Sequence, residues 1–119
     1  MQQIPDAYQS AILLLMLIES RPSTTRVRLS EMTIKRVCGR FRLTDEFLDE
    51  LREWMFRAGW TLFNAGTTYA AVRMSVVENW PRLSSKRIVD TLEQVRMGGF
   101  DFDRHNHLIA NPSDTEIDD

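Results

Sequence analysis

A mainly α-helical fold with one small β-hairpin is the class this sequence predicts, and three observations carry that prediction. Four segments place apolar residues at helical spacing behind a capping residue, a glycine-centred turn joins two β-prone runs, and the charge changes sign between two adjacent helical segments. With 119 residues, 43% of them hydrophobic and 27% charged, the chain suits one compact domain that buries a core without staples.

The first helix follows Pro5 and Asp6, which suit a helical first turn and the positive end of the helix dipole, and Pro22 stops it by about Arg21. Its run Ala11–Ile18 is wholly apolar but far short of the ~20 residues that cross a bilayer. No basic stretch precedes it and no small-residue cleavage site follows, so neither a membrane span nor a signal peptide is expected. A helix apolar nearly all round needs cover on several sides, from the rest of the domain or from a second copy. A homodimer is therefore a candidate assembly.

Thr24–Leu29 alternates as a short strand does, with Val27 and Leu29 on one face and Arg26 and Arg28 on the other. Ser30 caps a second helix whose stripe runs Ile34, Val37, Cys38, Phe41, and Gly39 is its expected stop. Lys35, Arg36 and Arg40 lie off that stripe. Thr44 caps a stronger third helix, with Asp45 and Glu46 in its first turn and Phe47, Leu48, Leu51, Trp54, Met55 and Ala58 at amphipathic spacing before Gly59. Trp60–Asn64 and Thr68–Met74 are β-prone and joined by Ala65-Gly66-Thr67. Trp54 is expected in the core, and Trp80 reads as a packing anchor. Ser84 or Ser85 caps a fourth helix with Ile88, Val89, Leu92 and Val95, ended by Gly98-Gly99. Phe100, Phe102, Leu108 and Ile109 are expected to anchor an extension. No internal repeat or long linker divides the chain, so residues 1–110 read as a single domain and 111–119 as an acidic tail, disordered by composition.

Charge is strongly segregated. Arg21–Arg42 holds seven basic residues against Glu31, whereas Asp45–Glu53 holds five acids against Arg52. Segregation of this kind points to a polyanion or a charged protein partner. A second basic cluster, Arg82-Leu83-Ser84-Ser85-Lys86-Arg87, opens the fourth helix, where positive side chains oppose the helix dipole and where hydroxyls and backbone N–H groups can hold a phosphate. A solvated face with Lys86 paired to Asp90 is the alternative.

The order helix, short strand, helix, helix, hairpin, helix resembles the winged-helix superfamily of helix-turn-helix domains over about Asp6–Met74, with Ser84–Met97 as an added C-terminal helix. Its most specific stretch is Leu48, Leu51, Met55, Ala58-Gly59-Trp60, Leu62, then Gly66 and Tyr69. The resemblance implies that Thr44–Ala58, with Thr44, Asp45, Glu46 and Asp49 leading, takes the recognition-helix position, and that Asn64, Gly66 and Thr67 form the wing tip. It departs from the usual DNA-reading pattern there, because the leading half of a recognition helix contacts bases and these carboxylates repel phosphate.

Two functions follow as expectations. One is a small cytoplasmic regulator that binds double-stranded DNA through Arg26, Arg28, Lys35, Arg36, Arg40, Arg42, Arg82, Ser84, Ser85, Lys86 and Arg87. The other is a protein-protein interaction module, or subunit of a larger assembly, that binds no DNA. Cys38 stands alone, which excludes an intrachain disulfide and suits a reducing compartment. No nucleophile elbow, phosphate-binding glycine loop or zinc-finger spacing is present, so neither an enzyme nor a cofactor is expected. Asp101, Asp103, His105 and His107 make only a weak metal-site pattern.

Overall fold

The computed structural model describes residues 3–109; the acidic 111–119 segment lies outside them. The chain divides into two units, Met1–Trp80 and Pro81–Asp119, a boundary that falls inside the 1–110 stretch read from sequence as one domain. Each unit is described by itself.

The first unit runs α1 (Ala7–Glu19), β1 (Arg26–Leu29), α2 (Glu31–Cys38), α3 (Asp45–Arg57), β2 (Trp60–Ala65), β3 (Thr68–Arg73) and a single turn, α4 (Met74–Val77). This order of elements is compatible with a winged-helix-like topology. Each longer helix begins where its cap chemistry places it. The Asp6 carboxylate accepts from the Gln9 amide at 2.8 Å while the Gln9 side chain accepts from the Asp6 amide at 3.1 Å, a reciprocal capping box. Ser30 and Thr44 accept from the amides of Thr33 and Phe47 at 3.0 and 3.1 Å. Gly39 ends α2 in the left-handed region at φ 67°, where a side chain is strained. That reversal takes Phe41 out of helical phase, and it is 97% exposed rather than part of the α2 stripe.

The strands form an antiparallel sheet in the order β1-β3-β2. Ala65 pairs with Thr68, so Ala65 belongs to the strand and the turn is only Gly66-Thr67, one residue shorter than the sequence suggests. Met74 leaves the strand and starts α4. One sheet face carries Leu29, Trp60, Leu62, Tyr69 and Ala71, all buried, and packs with Leu14, Ile34, Leu51 and Met55 of the three helices in one core. Trp54 sits at the edge of this core, half-buried, its ring edge-on to Tyr8 at 4.8 Å. Trp60 is wholly buried, and its indole N–H donates to Glu19 at 3.3 Å. Arg73 also pairs with Glu19 at 3.6 Å, tying the open end of the hairpin to the end of α1. Trp80, expected as a packing anchor, is half-exposed.

The second unit holds α5 (Ser85–Arg96), α6 (Phe102–His105) and a 3-10 turn, Asn106–Ile109. The Ser84 hydroxyl accepts from the Arg87 amide at 3.5 Å, so Ser84 is the cap and Ser85 the first helical residue. Phe100 lies 4.8 Å from Phe102, edge-on, and stacks on His105 at 4.9 Å. Phe102, Leu108 and Ile109 are largely exposed, contrary to their expected role as anchors.

Candidate functional site

α3, which the sequence resemblance sets in the recognition-helix position, presents acid. α3 points Phe47, Leu48, Leu51 and Met55 into the core, and that orientation leaves Asp45, Glu46, Asp49, Glu50 and Glu53 in solvent. Only two of the five have a basic partner among the described residues: Asp49 meets Arg52 at 3.4 Å and Glu53 meets Arg57 at 3.2 Å. Arg52 also donates to Asn64 Oδ1 at 2.8 Å and so ties α3 to the hairpin near its turn. The hairpin turn, Gly66-Thr67, and Asn64 beside it, the expected wing-tip residues, are exposed and uncharged, with Gly66 at φ 68°.

The basic residues grouped by sequence are separated in space. Arg26 and Arg28 project from β1 on the sheet face away from the helices. Lys35 pairs with Glu31 at 3.4 Å on α2, with Arg36 exposed beside it, and Arg42 is exposed between α2 and α3. Arg40 has a structural task. Its Nη1 donates to the carbonyls of Pro5 and Cys38 at 2.7 and 3.0 Å, and its guanidinium lies 3.8 Å over the Phe47 ring. One side chain thus joins the start of α1, the end of α2 and the start of α3, which leaves it poorly placed for phosphate. In the second unit, Arg82, Lys86 and Arg87 are exposed around the start of α5, and a Lys86–Asp90 pair is not among the ion pairs of the described residues.

Between α1 and α3 runs an apolar groove that the charge pattern did not reveal. Tyr8, Ala11, Ile12 and Leu15 line one wall; Trp54, Arg57 and Ala58 line the other. Its volume is 210 Å³, below the roughly 300–1,000 Å³ of pockets that enclose small ligands and open enough for a protruding side chain. The Arg57 guanidinium lies 4.7 Å over the Trp54 ring at one end. Continuing along α3 is a second shallow furrow lined by Asp49, Glu50, Glu53, Trp54 and Arg57. An apolar slot therefore runs directly into a carboxylate ridge. The signal for it in sequence is the outward-facing apolar side of α1, where Tyr8, Ile12, Met16 and Leu17 are all about half-exposed.

Burial pushes the Cys38 thiol pKa up, and the Ser10 hydroxyl and the Arg40 guanidinium pull it back. The hydroxyl acts from a geometry too poor for a hydrogen bond, which leaves the buried Ser10 Oγ without a partner among the described residues. Asp101 caps α6, accepting from the amides of Asp103 and Arg104 at 3.1 and 3.3 Å. Among the described residues, no three His, Cys, Asp or Glu side chains gather where a metal ion would sit. No described helix is long and apolar enough to cross a membrane.

No family model matches the chain, and neither the curated proteins nor the solved structures contain a match to it.

Proposed function

We propose that the first unit is a winged-helix-like protein-interaction module whose α1/α3 groove receives a basic amphipathic helix. The observation that supports this reading is the junction of the apolar slot, at Tyr8, Ile12 and Trp54, with the exposed carboxylates of α3. A helical ligand places anchors at i, i+3, i+4 and i+7 along such a slot, and its basic flank then lies along Glu46, Glu50 and Glu53. Apolar contact holds the complex, and the carboxylates steer encounter and set orientation. The same carboxylates repel a duplex from the helix that would have to enter its groove.

The test is calorimetric titration with a synthetic helical peptide of leucine on one face and lysine on the other. Replacing Glu46, Glu50 and Glu53 by Gln is expected to weaken binding about tenfold and to flatten its salt dependence. Amide shifts on titration should concentrate on α1 and α3. Binding that ignores both the carboxylate changes and Ile12→Asp would end this reading.

A second reading, double-stranded DNA binding by a regulator, is favoured by the exposure of Arg36 on α2 and Arg42 next to it. Each replacement of these by Ala should then reduce the log–log salt slope of duplex affinity by about one. A duplex that stays free at low salt excludes it.

A further inference from the structure

We propose that the outer face of the sheet is a platform for single-stranded DNA, separate from the α1/α3 groove and independent of it. The three strands contain no Asp or Glu at all, although such residues crowd α3. Two cross-strand rows of outward positions span all three strands. Arg28 lies opposite Ala70, and Ala70 opposite Phe63; Arg26 lies opposite Val72, and Val72 opposite Thr61. Each row thus runs from an arginine on one edge strand, over a small apolar residue, to the other edge.

Chemistry and spacing fit one nucleotide unit. Strands sit about 4.8 Å apart, so Arg28 and Phe63 are separated by roughly 10 Å at the backbone. That distance spans a base ring and the phosphate attached to it. Phe63 is 41% exposed on a sheet whose opposite face forms the core, so part of its ring is open to solvent on the outer face. Ala70 between them adds no bulk that would lift a flat ring. Arg26 and Arg28 are exposed, and neither has an ion-pair or side-chain hydrogen-bond partner among the described residues. A guanidinium in that state is available to grip phosphate oxygens in a bidentate manner.

The occupant is single-stranded because Phe63 needs the face of an unstacked base, which a duplex keeps inside its stack. It is DNA because the apolar strip of Ala70 and Val72 suits the thymine methyl group, which uracil lacks. An acidic peptide would satisfy the arginines and leave Phe63 without a planar partner.

The experiment is anisotropy titration of a short fluorescein-labelled oligo(dT) at low salt with the full chain. Binding is expected, with Phe63→Ala weakening it about tenfold, as the loss of one stacked base does. Arg26→Ala and Arg28→Ala should each lower the log–log salt slope by about 0.7, the value for one phosphate on a single strand. Phe63→Tyr should restore affinity, which separates stacking from any effect on the fold, and unchanged melting of the Phe63→Ala chain checks the same point. Absence of oligo(dT) binding, equal binding of a duplex or of oligo(rU), or indifference to Phe63 and both arginines would each overturn the proposal. Glu46, Glu50 and Glu53 variants should leave oligo(dT) binding intact even as they weaken peptide binding about tenfold, so the two surfaces fail separately.

Discussion

α3 and α5 are almost the same helix by local chemistry and opposite in their fate. Both are introduced by a hydroxyl cap, Thr44 or Ser84, both run for three turns or more, and both carry an apolar stripe between charged flanks. α3 buries Phe47, Leu48, Leu51 and Met55, whereas no residue of α5 is buried. The difference teaches that amphipathic spacing states a need for a partner and does not supply one. For α3 the partner is at hand: the hairpin that follows Gly59 turns back beneath it, bringing Trp60 and Leu62 to its apolar side. The described residues of the second unit that follow α5, Phe102, Leu108 and Ile109 among them, are largely exposed and bury none of its stripe.

Truncating one apolar side chain on each helix is expected to give the largest effect. Leu51→Ala, at a site with no exposure, is expected to cost about 2–5 kcal/mol in urea unfolding of the first unit. Leu92→Ala, at a site 60% exposed, is expected to change stability by less than about 0.5 kcal/mol. Equal losses at the two positions would mean that α5 is packed against a partner in solution as α3 is packed in the first unit.

The caps provide a second, smaller contrast. Thr44→Ala removes an acceptor for the Phe47 amide and should destabilise the first unit by about 1 kcal/mol. Ser84→Ala removes the longer contact to the Arg87 amide and should reduce helicity around α5 without moving the main unfolding transition. Circular dichroism at two wavelengths, far-UV for helix and near-UV for the packed tryptophans, distinguishes the two outcomes.

Cys38 makes the stability of the core depend on pH. Its folded pKa is raised, so the folded state holds the thiol proton more tightly than the unfolded state does. The stabilisation is fully present below the ordinary thiol value of 9.0 and is lost as pH rises from there through the higher folded value. Stability should therefore decline above that pH, and a Cys38→Ala chain, although less stable overall, should lack this part of the decline. Native-state alkylation of the thiol should be slow and should become fast on denaturation, because the group is wholly buried.

The smallest effect concerns the ion pairs on α3. Arg57→Gln separates the guanidinium from Glu53, an exposed pair, and is expected to shift stability by less than about 0.5 kcal/mol. Binding of the leucine–lysine peptide should change more, because Arg57 lines the groove and closes it over Trp54. An unchanged peptide affinity would place the ligand elsewhere on the acidic ridge.

Local signals made most of the first unit legible. Caps at Asp6, Ser30 and Thr44, stops at Gly39 and Gly59, and strand alternation at Arg26–Leu29 are short-range chemistry, and short-range chemistry is written in neighbouring residues. The exposed acids of α3 were legible for the same reason: a helix that buries Leu48, Leu51 and Met55 must turn Asp45, Asp49 and Glu53 outward. Phe41 misled because its spacing continues the α2 stripe while the left-handed turn at Gly39 ends the helix in front of it.

What the sequence determined by itself was the set of elements, their ends and the charge each one carries. Tertiary structure decided which of those charges share a surface. Arg26, Arg28, Arg36 and Arg40 are near neighbours in the chain, yet the sheet sends the first two to its outer face, α2 exposes the third, and a three-way clasp over Phe47 takes the last. The α1/α3 groove likewise joins Tyr8 to Trp54 across most of the first unit's sequence. Such juxtapositions depend on how apolar faces separated in sequence are buried together, and no local spacing encodes them because burial is a property of the whole packed unit.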